Sequence, residues 1–248
     1  MNEIIETILA HRSIRKFKDK PLDDETVETL VQCAQAASTS SYQQVCTIIG
    51  VEDREKKEKL AELAGNQSYV ADNGYFFVFC MDYNRHKIAA DMNTIDIHKT
   101  IQSTEAFIVG TADAALAAQN LCIAAESLGL GIVYIGGIRN QLQEVSALLD
   151  CPDHVLPLFG VAVGYPDAEP GKKPRLPMAA VFHKNQYQNS EETEALLDQY
   201  EKETAAYYTE RTGGKRTEGW VTQITASMAT PKRTYMKEFV RSKGLNKL

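Results

Sequence analysis

Ile4, Ile5, Ile8 and Leu9 fall at helical spacing and predict a short helix ending near His11. The stretch PLDDETVETLVQCAQAAS at 21–38 predicts a second helix. Its acids gather at the start, where the dipole favours them, and Val27, Leu30, Val31 and Ala34 recur on one side. The hydroxyl run that follows competes for backbone hydrogen bonds and stops it. VCTIIGV at 45–51 and YFFVFCMD at 75–82 are short, almost unbroken apolar runs, the pattern of strands buried on both faces. Between them, DREKKEKLAELAG carries an Asp cap and a terminal Gly65, both helix signals.

Residues 83–103 are polar and poorly patterned, predicting loop or short helices. The longest helical stretch runs from Thr104 to about Leu128, with Phe107, Ile108, Thr111, Ala114, Ala115, Ala118, Leu121, Cys122 and Ala125 read as its inner side. So many alanines allow another backbone to approach closely. IVYIGG is a third strand, NQLQEVSALLD a helix and LPLFGVAVG a fourth strand. YPDAEPGKKPRLP reads as loop, because Pro and Gly interrupt any periodicity. From about residue 190 the chain alternates helical patterns with charge and is thin in apolar residues. It reads as a helical extension of a single domain spanning 1–248, packed on the body or on a partner subunit.

Strands separated by helices predict a sheet flanked by helices. A doubly wound dinucleotide fold is excluded, since Gly129-Leu130-Gly131 follows a helix and precedes a strand, the reverse of the fingerprint's context. There is no GxxxxGK[ST] loop and no HExxH, so no metal site is predicted. The 248 residues carry 44% hydrophobic and 24% charged side chains and a net charge of -6. That balance fits a globular protein and argues against general nucleic-acid binding. Cys33, Cys46, Cys80, Cys122 and Cys151 show no paired spacing and read as reduced thiols, hence a cytoplasmic location. The N-terminal residues lack a secretion signal, and no stretch is read as approaching the ~20 apolar residues of a membrane span.

Three segments go beyond what folding asks for. HRSIR at 11–15 is either a solvated basic face or a phosphate clamp, whose arginines would meet phosphate oxygens in pairs. KKPR at 172–175, stiffened by prolines, offers a second cationic cluster that could close on the same anion. Gly136 and Gly137, directly after a strand, either make a turn or let backbone N–H groups approach a planar ligand.

Together with AASTSSYQQ, GNQSYV, AAESLGLGIVYIGGIRN and HVLPLFGVAVGYP, these segments resemble the nitroreductase superfamily, in its NADPH-dependent flavin reductase and oxygen-insensitive nitroreductase branch. The likeness runs in order from residue 4 to the C-terminus. It implies an α+β fold with a central mixed sheet flanked by helices, a C-terminal helical extension, and an interlocked homodimer holding FMN at the subunit interface. The implied FMN contacts are His11, Arg12, Ser13, Ile14, Arg15, Thr39, Ser41, Gln67, Tyr134, Ile135, Gly136, Gly137, Lys173 and Arg175. Thr39 stands where the family usually has serine; it keeps the hydroxyl and adds a methyl group. Arg211, Lys215 and Arg216 correspond to the implied NADPH contacts.

The resemblance implies ping-pong hydride transfer from NADPH to FMN and then to nitroaromatics, quinones, azo compounds or free flavin. No side chain is assigned as catalytic, because the flavin ring carries the chemistry. Three alternatives stand beside this reading: a dedicated NADPH:FMN reductase supplying reduced flavin, a flavin-binding protein without turnover, and a peroxide-forming or dehalogenating relative. No membrane or nucleic-acid partner is expected.

Overall fold

The computed structural model describes residues 2–187 and 191–248. The chain divides into two compact units, Met1–Pro170 with Arg233–Leu248, and Gly171–Lys232.

In the first unit, α1 (Glu3–Ala10) is capped by Asn2, α2 (Asp24–Gln35) by Asp23, and both caps accept a backbone N–H from the first turn. Strand β1 (Cys46–Val51) leads to α3 (Arg54–Leu63), which Asp53 caps and Gly65, at φ +94, terminates. After β2 (Tyr75–Asp82), the polar stretch forms α4 (Asn84–Met92) and the single turn α5 (His98–Ile101). The long α6 (Thr104–Ser127) precedes β3 (Gly131–Ile135), α7 (Leu142–Leu148) and β4 (Val155–Gly164).

The strands form one sheet in the order β1-β2-β4-β3, every neighbouring pair antiparallel. The sheet expected to be mixed is thus antiparallel throughout its named strands, and an isolated bridge outside them, between Ser13 and Ile132, is parallel. Alternation along β2 explains its unbroken apolar run. Phe77, Phe79 and Met81 join the core with Leu30 of α2 and Leu121 of α6. Phe76, Val78 and Cys80 join a second core with Leu60 of α3 and Val145 of α7. Each fully buried Phe stabilises by ~1.5–3 kcal/mol relative to exposure.

Two expectations about α6 change. Its inner side near the start is Ala106, Val109, Gly110, Asp113, Ala114 and Ala117, whereas Ile108 is exposed and Phe107 only half-buried. A buried acid inside the stripe hides the true phase from a pattern based on apolarity. Gly110 lets α6 press onto β2: a Cβ there would lie 2.6 Å from the Met81 Cγ. By length and composition α6 would also qualify as a membrane span, contrary to the sequence reading. Half of that apolar window is buried inside the protein, as expected of a core helix.

Helix α8 (Glu191–Arg211) and α9 (Trp220–Met228) belong to the second unit. Helix α10 (Met236–Ser242) belongs to the first, because Val240 and Leu245 enter its core and Lys243 donates to the Cys151 carbonyl at 2.8 Å.

Candidate functional site

The segment after α1 runs alongside the sheet. Ser13 bridges Ile132, the Ile14 N–H donates to the Ile132 carbonyl at 2.9 Å, and Phe17 bridges Pro166. Ile14 is buried, so any contact it makes with a ligand comes from its backbone. Ile135 is buried in the same way.

The cations of this segment differ in their partners. The His11 ring, through Nδ1, meets Glu126 of α6 at 2.7 Å, which leaves Nε2 available. Arg12 pairs with Glu169 at 2.9 Å. Glu169 is 79% exposed, and such a pair is worth only about 0–1 kcal/mol, so an incoming anion can replace it. Arg15 has no ion pair among the described residues. It opens onto a cavity of about 770 Å³ whose wall also carries Lys18, Lys57, Ser68 and Tyr69.

Gln67 and the glycine pair lie together. A Cβ on Gly137 would sit 2.5 Å from the Ala64 carbonyl and 2.6 Å from the Gln67 Nε2, so only glycine fits. The Gln67 amide is held at both ends: Nε2 donates to the Ala64 carbonyl at 2.9 Å and Oε1 accepts from the Tyr69 hydroxyl at 2.8 Å. Gly136 and Gly137 open a 3-10 turn directly after β3. Tyr134, at the end of β3, is partly exposed; burial of its hydroxyl raises its pKa above the ordinary phenol value.

The serine-rich loop has an unusual backbone. Thr39 is extended, but Ser41, Tyr42 and Gln44 sit at φ 48, 58 and 56, each costing of order 1–3 kcal/mol. Three side chains hold it. Arg85 of α4 donates to the carbonyls of Gln44 and Cys46 at 3.0 and 2.7 Å, and His86 lies 2.8 Å from the Gln43 carbonyl. Asp113 of α6 accepts from the backbone N–H groups of Ser40 and Val45 at 3.0 and 3.4 Å. A cavity of about 620 Å³ lies against this loop, lined among others by Thr39, Gln44, Arg85 and Asp113.

The second unit holds its own cationic cavity, of about 690 Å³. Lys173, Arg175, Arg211 and Arg216 line it with Tyr207, Tyr208 and Trp220, whereas Lys215 is exposed outside it. The Arg216 guanidinium lies 3.3 Å from the Tyr208 ring centroid, and Arg211 donates to the Tyr207 hydroxyl at 2.8 Å. Burial works to raise the Tyr208 phenol, but the Lys173 and Arg216 charges outweigh it and its pKa falls. Lys173 and Arg175, which the resemblance gives to FMN, thus share one cavity with Arg211 and Arg216, which it gives to NADPH.

Sequence reasoning missed Asp113, Arg85 and Tyr69, which act on the backbone or on other side chains. A signal existed for Asp113: it is an acid between alanines on an otherwise apolar helix. Among the described residues no group of three or more His, Cys, Asp or Glu could hold a metal ion.

The family model for the nitroreductase family matches residues 8–165, and that for the nitroreductase family C-terminal domain matches 173–248. A Bacillus subtilis (strain 168) protein named FMN reductase (NADPH) is 55% identical over 248 residues, covering 100% of both chains. A Staphylococcus haemolyticus protein named NADPH-dependent oxidoreductase is 46% identical, covering 96% of this chain and 95% of its own. The structure of NfrA1 from B. megaterium superposes with a TM-score of 0.98 at 56% identity, covering 99% of this chain and 100% of that one. With both units matched in order and across nearly every residue, the chain belongs to the nitroreductase family.

Proposed function

We propose that this protein is an NADPH oxidoreductase that works through bound FMN. The observation that carries the reading is the joining of a strip of cations to a glycine turn by one strand. Ser13 pairs with Ile132, and Gly136 follows four residues on, about 13 Å away at ~3.3 Å per residue. That spacing suits a long ligand with an anionic tail and a planar head better than a bare phosphate. The residues fit such a group: Arg15 lacks a carboxylate partner among the described residues, Arg12 has a replaceable one, and the backbone at Gly136 and Gly137 presents no side chain.

When bound, FMN supplies a ring that takes up and returns hydride, which no side chain here can do. The protein's own part is placement. His11, Arg12, Ser13 and Arg15 bind the anionic end, with Ile14 contributing backbone only. Gln67, locked by Tyr69 and Ala64, presents a fixed amide beside Tyr134, Ile135, Gly136 and Gly137. Thr39 and Ser41 add hydroxyl donors from the partner subunit of a homodimer. Lys173, Arg175, Arg211 and Arg216, with Lys215 nearby in sequence, bind phosphate groups, those of NADPH included.

The broad acceptor class is nitroaromatics, quinones, azo compounds and free flavin, in the cytoplasm. The name of the Bacillus subtilis relative, FMN reductase (NADPH), favours free FMN as one acceptor. The purified protein is therefore expected to be yellow and to bleach when NADPH is added without oxygen. An absorption spectrum recorded before and after that addition checks it. A colourless protein that stays so after incubation with FMN and desalting would sink the flavin assignment, and colour without bleaching would leave binding without turnover.

A further inference from the structure

Asp113 is the only carboxylate on α6 that is fully inside the fold, 2% exposed among Val109, Gly110, Ala114 and Ala117. Burying a charge against an alanine-rich helix face is costly unless its oxygens are bonded. Packing α6 on the sheet does not need it, since an apolar residue would serve better there. Both oxygens point instead at the serine-rich loop. One accepts from the Ser40 N–H and the other from the Val45 N–H, so a single side chain fixes both ends of the stretch.

Between those ends lie three residues in the left-handed region, Ser41, Tyr42 and Gln44, none of them glycine. Such a backbone persists only where its surroundings hold it. Ser40 itself sits between Thr39 and Ser41, the two hydroxyl residues assigned to the flavin. We infer that Asp113 is a positioning residue for FMN binding, setting the Thr39 and Ser41 hydroxyls through the loop backbone without touching the cofactor. The inference rests on the flavin reading of the loop.

The test compares Asp113→Ala and Asp113→Asn with wild type by titrating apoprotein with FMN and following flavin fluorescence. Asp113→Ala is expected to raise the FMN dissociation constant at least tenfold. Asp113→Asn should raise it about threefold, because it keeps an acceptor for Ser40 but turns an amide N–H₂ toward Val45. The Michaelis constant for NADPH, measured with FMN saturating, should move less than twofold in both. Amide exchange should quicken at Ser40 and Val45 and stay slow in β2.

A folded Asp113→Ala protein with FMN affinity within twofold of wild type overturns the inference. So does a parallel rise in both constants, which would mean general loosening. If the alanine variant does not fold, the asparagine variant decides by the same criteria. If wild-type protein takes up no FMN, the flavin reading fails, and amide exchange at Ser40 and Val45 still decides whether Asp113 holds the loop.

Discussion

Arg211 ends α8 with its guanidinium on the Tyr207 hydroxyl, at the wall of a cavity already rich in cations. A phosphate monoester there would gain charge-assisted hydrogen bonds of ~1.5–3 kcal/mol each. Arg211→Ala is accordingly expected to raise the Michaelis constant for NADPH about tenfold or more and that for NADH less than twofold. Steady-state kinetics with both nucleotides check this; equal effects would remove Arg211 from 2′-phosphate recognition. At this scale residue types were legible, but partners were not. HRSIR shows no acid until Asp19, yet folding brings Glu126 and Glu169, 115 and 157 residues away, onto His11 and Arg12. Asp113 stood out in the sequence only as an acid among alanines, and its role stayed hidden for the converse reason, since its partners are backbone N–H groups that no side-chain pattern reveals.

Among the elements, those with local signals stand where the pattern placed them. Asp23, Asp53 and Gly65 mark their helix ends through bonds and dihedrals within a few residues, which sequence order alone specifies. Helix α9 differs, because its cap residue Gly219 offers no side chain. Glu201 of α8 takes that role, accepting from the Val221 N–H at 2.6 Å and from the Thr222 hydroxyl at 2.6 Å. The Thr222 hydroxyl bond, aided by the Val221, Thr222 and Gly219 backbone N–H groups, outweighs the opposing effect of burial and holds the Glu201 pKa below its ordinary 4.5. A carboxylate lowered on folding stabilises fully above that ordinary value and loses its contribution as pH falls through the folded one. Trp220, the single tryptophan, begins α9 and reports on it. Its emission is expected to change as pH drops below 4.5 in wild type and to show no such step in Glu201→Gln. A step of equal size in both would assign the acid transition elsewhere.

For the whole molecule, the most informative surface is α1. None of its residues is buried, and Ile4, Ile5, Ile8 and Leu9 remain exposed, Ile4 at 63%. Ile108 and Leu116 on α6 are exposed as well. Apolar clusters of this kind mark association surfaces, and here they support the proposed homodimer. Ile8→Glu should shift the mass by light scattering from dimer toward monomer and lower FMN retention, because Thr39 and Ser41 are proposed to come from the partner. A dimer of unchanged affinity would place the interface elsewhere. By itself the sequence determined the helices, the strands and the residue types of the site, since periodicity, caps and turn residues act over a few positions. Tertiary structure alone decided the strand order, the true inner face of α6, the division at residues 171 and 233, and the carboxylates that meet the cations. Those depend on contacts between segments far apart in sequence, from the 35 residues between Cys46 and Met81 to the 157 between Arg12 and Glu169, where chain-local patterns carry no information about distance.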